Sequence, residues 1–160
     1  MAQKIVPNLW FDTEAKDAAE YYTSIFEDSR ITAVSHYTEV GPREEGMVLT
    51  VDFELNGQSF TAINGGPDFK FNEALSLLVN CRDQAEIDEL WDRFTQDGGE
   101  PGPCGWLKDK YGVSWQIVPA GFEKMILDEN RVRVNAVMKC MLQMQKLDVA
   151  ELEKAYAEAS

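Results

Sequence analysis

Two segments of this chain match each other at a distance of 55 residues. Leu55-Asn56-Gly57-Gln58-Ser59-Phe60-Thr61-Ala62-Ile63 returns as Lys110-Tyr111-Gly112-Val113-Ser114-Trp115-Gln116-Ile117-Val118. Each reads glycine, any residue, serine, aromatic, and then a run with strand character. A glycine between two strand-like runs supplies the positive φ that a tight hairpin turn demands. The chain is therefore expected to hold two copies of one unit, and its fold must accommodate that unit twice.

The neighbouring residues fill in the unit. Residues 4–11 read as a strand, Asp12 or Thr13 offers an N-cap, and Glu14 places an acid in the first turn. A helix follows over 15–26, with Ala18, Ala19, Tyr22, Ile25 and Phe26 on one face. Residues 30–37 are a weaker strand, resting on β-branched Ile31, Thr32 and Val34 rather than on alternation. A loop at 41–46 leads to strands at 47–55 and 58–64, joined by Asn56-Gly57, a type I′ hairpin signature. The order is β-α-β-β-β. Beyond Gly65-Gly66-Pro67-Asp68 it recurs: a strand at 75–81, then a helix from Asp83 or Gln84 to 96 with Ile87, Leu90, Trp91 and Phe94 on one face. Gly98-Gly99 ends that helix, a short strand lies near Glu100, and a hairpin of 106–108 and 113–118 crosses Asp109-Lys110-Tyr111-Gly112. The two helices correspond at an offset of 68, so the first copy is longer between helix and hairpin, mostly in the 41–46 loop and its second strand.

From Phe122 onward the pattern turns helical. Val134, Val137, Met138, Met141 and Leu142 recur at helical spacing, Lys146-Leu147-Asp148 marks a break, and Asp148 caps a last helix over 149–157. Four methionines fall here (Met125, Met138, Met141, Met144), read first as core packing or a dimer seam and second as an adaptable partner surface. The class is α+β: two βαβββ modules, about 3–64 and 74–119 within residues 1–120, forming a curved mixed sheet around a cleft. A C-terminal helical extension occupies 121–160.

A formal charge of −13 argues against binding nucleic acid, which needs clustered Lys and Arg, and against docking on anionic membranes. Residues after 120 carry seven acids and six bases, so the acidity belongs to the repeats. No apolar run approaches the 18 residues of a membrane span, and the Met-Ala-Gln-Lys-Ile-Val-Pro start carries no apolar leader. A cytoplasmic location is expected. Cys81, Cys104 and Cys140 form no CxxC pair and are expected to be free thiols; Cys104, within Pro101-Gly102-Pro103-Cys104-Gly105, is the one to test for reactivity, although a structural role is the simpler reading.

A βαβββ unit made twice resembles the vicinal oxygen chelate superfamily, which includes glyoxalase I, extradiol dioxygenases and bleomycin-resistance proteins. The resemblance covers about residues 3–119. Leu9-Trp10-Phe11-Asp12, Ala18-Ala19-Glu20-Tyr21-Tyr22, Ile63-Asn64-Gly65-Gly66-Pro67 and the run from Cys104 through Pro119 resemble the PhnB-like branch. The resemblance implies a half-barrel from each unit, pairing into homodimers, and often a metal held by the first and last strand of each unit.

Carried onto this sequence, the family's metal positions fall at Pro7 or Asn8, at Thr61, at Ser76 and at Gln116. None is a carboxylate or an imidazole, and a divalent cation needs such ligands to offset its desolvation. His36, the single histidine, matches none of them and reads as a surface residue. No metal and no cofactor are expected. The candidate ligand-binding residues are Asn8, Trp10, Thr61, Asn64, Ser76, Trp106 and Gln116, with Asn80 nearby and Trp115 as a third aromatic wall. Neutral polar groups and rings suit a neutral or weakly polar small molecule; the plain alternative is that the polar groups satisfy one another inside a small barrel. No Ser-His-Asp or Cys-His arrangement is available, and Glu20 and Glu54 read as exposed carboxylates. Gly65-Gly66-Pro67 lacks the lysine and following helix of a phosphate loop and reads as a turn between units.

The expected function is metal-free binding of a small molecule. The alternative is an enzyme of the same superfamily, either a metal-dependent lyase or dioxygenase or the demethylubiquinone methyltransferase that labels for this branch mention. For the last, no Gly-rich loop of the nucleotide-binding kind is visible.

Overall fold

Alternation of apolar and polar side chains builds the sheets. Along 48–55, Val51, Phe53 and Leu55 are buried while Thr50, Asp52 and Glu54 are not, the period of two that leaves one face of a sheet covered. The computed structural model describes residues 4–159. The chain divides into two compact units, Met1–Lys70 and Phe71–Ser160.

The first unit runs β1 (Asn8–Phe11), α1 (Ala15–Ile25), β2 (Arg30–His36), β3 (Val48–Leu55) and β4 (Gln58–Asn64). Its sheet has the order β1-β4-β3-β2, with β1 parallel to β4 and the other pairs antiparallel. Helix α1 turns Ala15, Ala18, Ala19, Tyr22 and Ile25 inward. The three small alanines bring it close to the strands, and the Tyr22 ring stacks on Phe53 at 6.3 Å, which in turn stacks on Phe60. Glu14, rather than Asp12 or Thr13, is the N-cap, and no side chain within the segment caps α1. Asn64 does so from 49 residues away: its Oδ1 accepts the Ala15 N–H at 2.9 Å. Two register irregularities break β2, and all but one of its residues are exposed. Apart from Ile31 neither face of β2 is covered, so nothing enforces alternation and the sequence shows none there. Asn56 and Gly57 have φ of +47° and +78°, the geometry of a type I′ turn.

The second unit runs β5 (Ser76–Cys81), α2 (Gln84–Thr95), β6 (Glu100–Pro101), β7 (Trp106–Lys108) and β8 (Ser114–Pro119). Its order, β5-β8-β7-β6, and its parallel first-to-last pair reproduce the first sheet. The duplication is thus one of topology as well as sequence. Asp83 caps α2 by accepting the Glu86 N–H, and Ile87, Leu90, Trp91 and Phe94 face the strands. The matching hairpins are closed differently. Where the first uses two left-handed residues, the second wraps its turn around the buried carboxylate of Asp109, which accepts Tyr111 N at 2.8 Å, Val113 N at 3.1 Å and the Trp115 indole N–H at 2.9 Å.

Helices α3 (Phe122–Ile126), α4 (Arg131–Met141) and α5 (Val149–Glu158) complete the second unit. Val118, Val137, Leu147 and Leu152 form their core, with Met125, Met141 and Met144 packed against it. Those methionines therefore contribute to packing within the chain. The break around Leu147 is the best-anchored part of the extension. Leu147 is fully buried, the Gln84 side chain donates to Leu147 O and accepts from Val149 N, and Lys146 pairs with Asp88 at 2.7 Å. Among the described residues no helix is long and apolar enough to cross a membrane.

Candidate functional site

In each unit the helix covers one face of the sheet, and the register fixes which residues lie on the other. In the first unit Asn8, Thr61 and Asp52 are successive cross-strand partners, so they form one row on the face turned from α1. Thr61 Oγ1 donates to Asp52 Oδ1 at 2.7 Å. Trp10, Ile63 and Thr50 form the next row on the same face. The Trp10 indole donates to Gly66 O at 2.8 Å and meets Phe69 edge-on at 5.0 Å. Gly65 is a glycine because of that ring: a Cβ there would lie 2.3 Å from it.

In the second unit one row is Glu100, Lys108, Ser114 and Ser76, and the other is Trp106, Gln116 and Leu78. Gln116 Nε2 reaches diagonally between them and donates to Ser76 Oγ at 2.9 Å. Lys108 pairs with Glu73 at 2.5 Å. The hydrogen bond to Glu73 holds the Lys108 ammonium above its ordinary range, and the same bond holds Glu73 below the usual carboxylate range. Over the β6–β7 half lies a hollow of about 490 Å³, lined by Glu73, Glu100, Cys104, Trp106, Lys108 and Ser114 together with the Pro101-Gly102-Pro103 segment. This volume lies in the range of small-molecule sites. Ser114 is 1% exposed and its Oγ has no hydrogen-bond partner.

Of the residues expected from sequence, Asn8, Trp10 and Thr61 share the face of the first unit, and Ser76, Trp106 and Gln116 share that of the second. Asn64 does not join them: it is buried on the helix side, with its amide nitrogen on Val48 O and its oxygen on the α1 terminus. Trp115 is corrected from a wall of the site to core, 2% exposed and stacked on Phe94 at 4.5 Å. Asn80 is exposed on β5, and His36 is exposed at the end of β2. Asp52 was legible as the polar member of an alternating strand, and Ser114 as the serine of the repeat itself; Glu73, in a loop, gave no local signal.

At the positions carried over from the superfamily, neither unit presents a carboxylate or an imidazole. Asn8, Thr61 and Gln116 offer neutral oxygens, and the pairing sets Leu78 rather than Ser76 across from Gln116. A leucine contributes no ligand. Among the described residues no three His, Cys, Asp or Glu side chains gather where an ion would sit.

The 3-demethylubiquinone-9 3-methyltransferase family model matches residues 3–118, leaving the C-terminal helices outside. A solved PhnB protein from Bacillus cereus is 40% identical over 74% of this chain and 100% of its own, with a TM-score of 0.66. Protein PA1353 of Pseudomonas aeruginosa (17% identity, 74% of this chain and 98% of its own, TM-score 0.61) shares the fold. So does the fosfomycin resistance protein FosX of Listeria monocytogenes (13% identity, 78% and 98%, TM-score 0.53). No protein of curated function matches the chain.

Proposed function

The chain belongs to the 3-demethylubiquinone-9 3-methyltransferase family, the PhnB-like branch of the vicinal oxygen chelate superfamily, and from that premise we propose that it is a metal-free small-molecule-binding protein. One observation supports the reading: Trp106 and Ser114 border a hollow of about 490 Å³, on the same sheet face as the hydrogen bond from Gln116 to Ser76. A ring for stacking beside hydrogen-bonding groups suits a small organic molecule. In the first unit Asn8, Trp10 and Thr61 would play the corresponding part, while Asn64 serves the α1 terminus.

Binding does not require the chain to lack catalysis. The family's name describes methyl transfer, and calorimetric titration with S-adenosylmethionine tests it; saturable binding would favour that activity over the one proposed. We propose further that the chain acts in the cytoplasm as a homodimer, which light scattering checks through a mass of two chains against one.

The binding reading is tested by amide and indole NMR against a library of uncharged aromatic compounds. Saturable shifts of the Trp106 indole and the Gln116 side-chain amide, lost in Trp106→Ala, are the expected result. If no compound moves either resonance at millimolar concentration, the hollow is not a binding site.

A further inference from the structure

Resting on that binding site, we propose that the hollow of the second unit selects an aromatic ligand that bears a positive charge. The argument starts from the row Glu100, Lys108, Ser114, whose members are direct cross-strand partners and line the same hollow. Lys108 is committed to Glu73 at 2.5 Å. Glu100 forms no ion pair among the described residues, so the wall carries two carboxylates against one ammonium and keeps a spare negative charge. The matching row of the first unit, Ser59, Glu54 and Arg30, ends instead in an arginine bonded to Glu54 at 2.8 Å. The negative surplus is thus a property of the second unit's site and not of the repeated fold.

A second, independent feature points to an occupant. Ser114 Oγ is buried, borders the hollow and has no hydrogen-bond partner. A hydroxyl left so is costly, and a ligand polar group that bonds it recovers that cost. Trp106 supplies the best of the natural rings for attracting a cation across its face. The formal charge of −13 over the whole chain adds a field that concentrates cations and repels anions.

Another part of the lining is held from beyond the family match. Cys104 N donates to Met144 O at 2.8 Å and Gly105 N to Gln145 O at 2.7 Å, so the Pro103-Cys104-Gly105 segment is pinned by the C-terminal extension, which the family model does not reach. Two hydrogen bonds to the C-terminal extension thus hold one side of the hollow in place.

The test uses three naphthalene probes of one shape on the full chain: (naphthalen-2-ylmethyl)trimethylammonium, naphthalen-2-ylmethanol and naphthalene-2-acetate. Calorimetry gives affinities and the Trp106 indole resonance reports location. The expected order is cation, then alcohol, then acetate, with the cation favoured over the alcohol about fivefold, the reach of one partly screened charge contact. Glu100→Gln should remove most of that preference, lowering cation affinity more than alcohol affinity, and Ser114→Ala should weaken the alcohol. Acetate binding as tightly as the cation, or a cation preference that survives Glu100→Gln, would overturn the proposed selectivity while the binding site stood. Failure of all three probes to move the Trp106 resonance would overturn the site itself.

Discussion

Replacing Asp109 should unfold the second hairpin and leave the first untouched. The Asp109 carboxylate is 2% exposed and accepts two backbone N–H groups and the Trp115 indole N–H at 2.8–3.1 Å. In Asp109→Ala all three donors lose their acceptor. Tyr111 N sits at a part-buried turn where water can replace it; Val113 N and the indole are buried. At about 1–3 kcal/mol for each buried donor left unpaired, the loss is about 2–6 kcal/mol. For a chain of this length, each kcal/mol lowers Tm by about 2–4 °C, so a fall on the order of 10 °C is expected. Asp109→Asn keeps one oxygen for the two backbone donors but points an amide N–H at the indole, and should cost about half as much. The control is Asn56→Gly in the first hairpin, where φ of +47° suits glycine and stability should stay within about 0.5 kcal/mol. Urea unfolding followed by tryptophan fluorescence measures the losses, and NMR follows the Trp115 indole proton. If Asp109→Ala lies within about 1 kcal/mol of the parent, or the Trp115 indole resonance does not move, the account of the turn is wrong.

Three further outcomes follow from packing and burial. Gly65→Ala places a Cβ 2.3 Å from the Trp10 ring; the indole must swing off Gly66 O, at a cost of about 1–3 kcal/mol, visible as a shift in tryptophan emission. Leu147→Ala empties a fully buried position at the junction of α2 and the C-terminal helices and should cost about 2–5 kcal/mol, read by urea unfolding; a loss below about 1 kcal/mol would mean the extension is not anchored there. Burial first, then Glu86 and Asp83, pushes the Cys81 thiol up to about 12. The folded state therefore keeps this thiol neutral while the unfolded chain ionises near 9, so stability is fully present below that pH and declines as pH rises from 9 toward 12. Cys81→Ala should flatten the decline, and native protein at pH 8 should resist alkylation at Cys81.

The repeat made the fold legible. One hairpin seen twice gave the element order of both units, and the structure adds that the first and last strands of each pair in parallel in the same way. Capping was read correctly where it is local, at Asp148, and missed at α1, where the acceptor is Asn64 across the sheet. That same long-range bond accounts for Asn64 having looked like a site residue: a polar residue at the end of an alternating strand shows its chemistry in sequence but not its direction. Trp115 misled for a related reason. Its place beside Gln116 in the chain puts it on the opposite face, where Phe94 and Asp109 take both its ring and its N–H. Sequence equivalence also set Ser76 where the sheet sets Leu78, because only the hydrogen-bond register fixes which residue of β5 lies opposite β8.

The reading of this chain as a metal-free binder rests on neutral side chains standing at the positions where its superfamily would hold a cation. Equilibrium dialysis of the full chain against manganese, nickel and zinc, followed by elemental analysis, tests that directly. The account predicts metal far below one equivalent per chain for all three, with no change in Tm on their addition. One equivalent of any of them retained through dialysis, and lost in Thr61→Ala or Gln116→Ala, would contradict it.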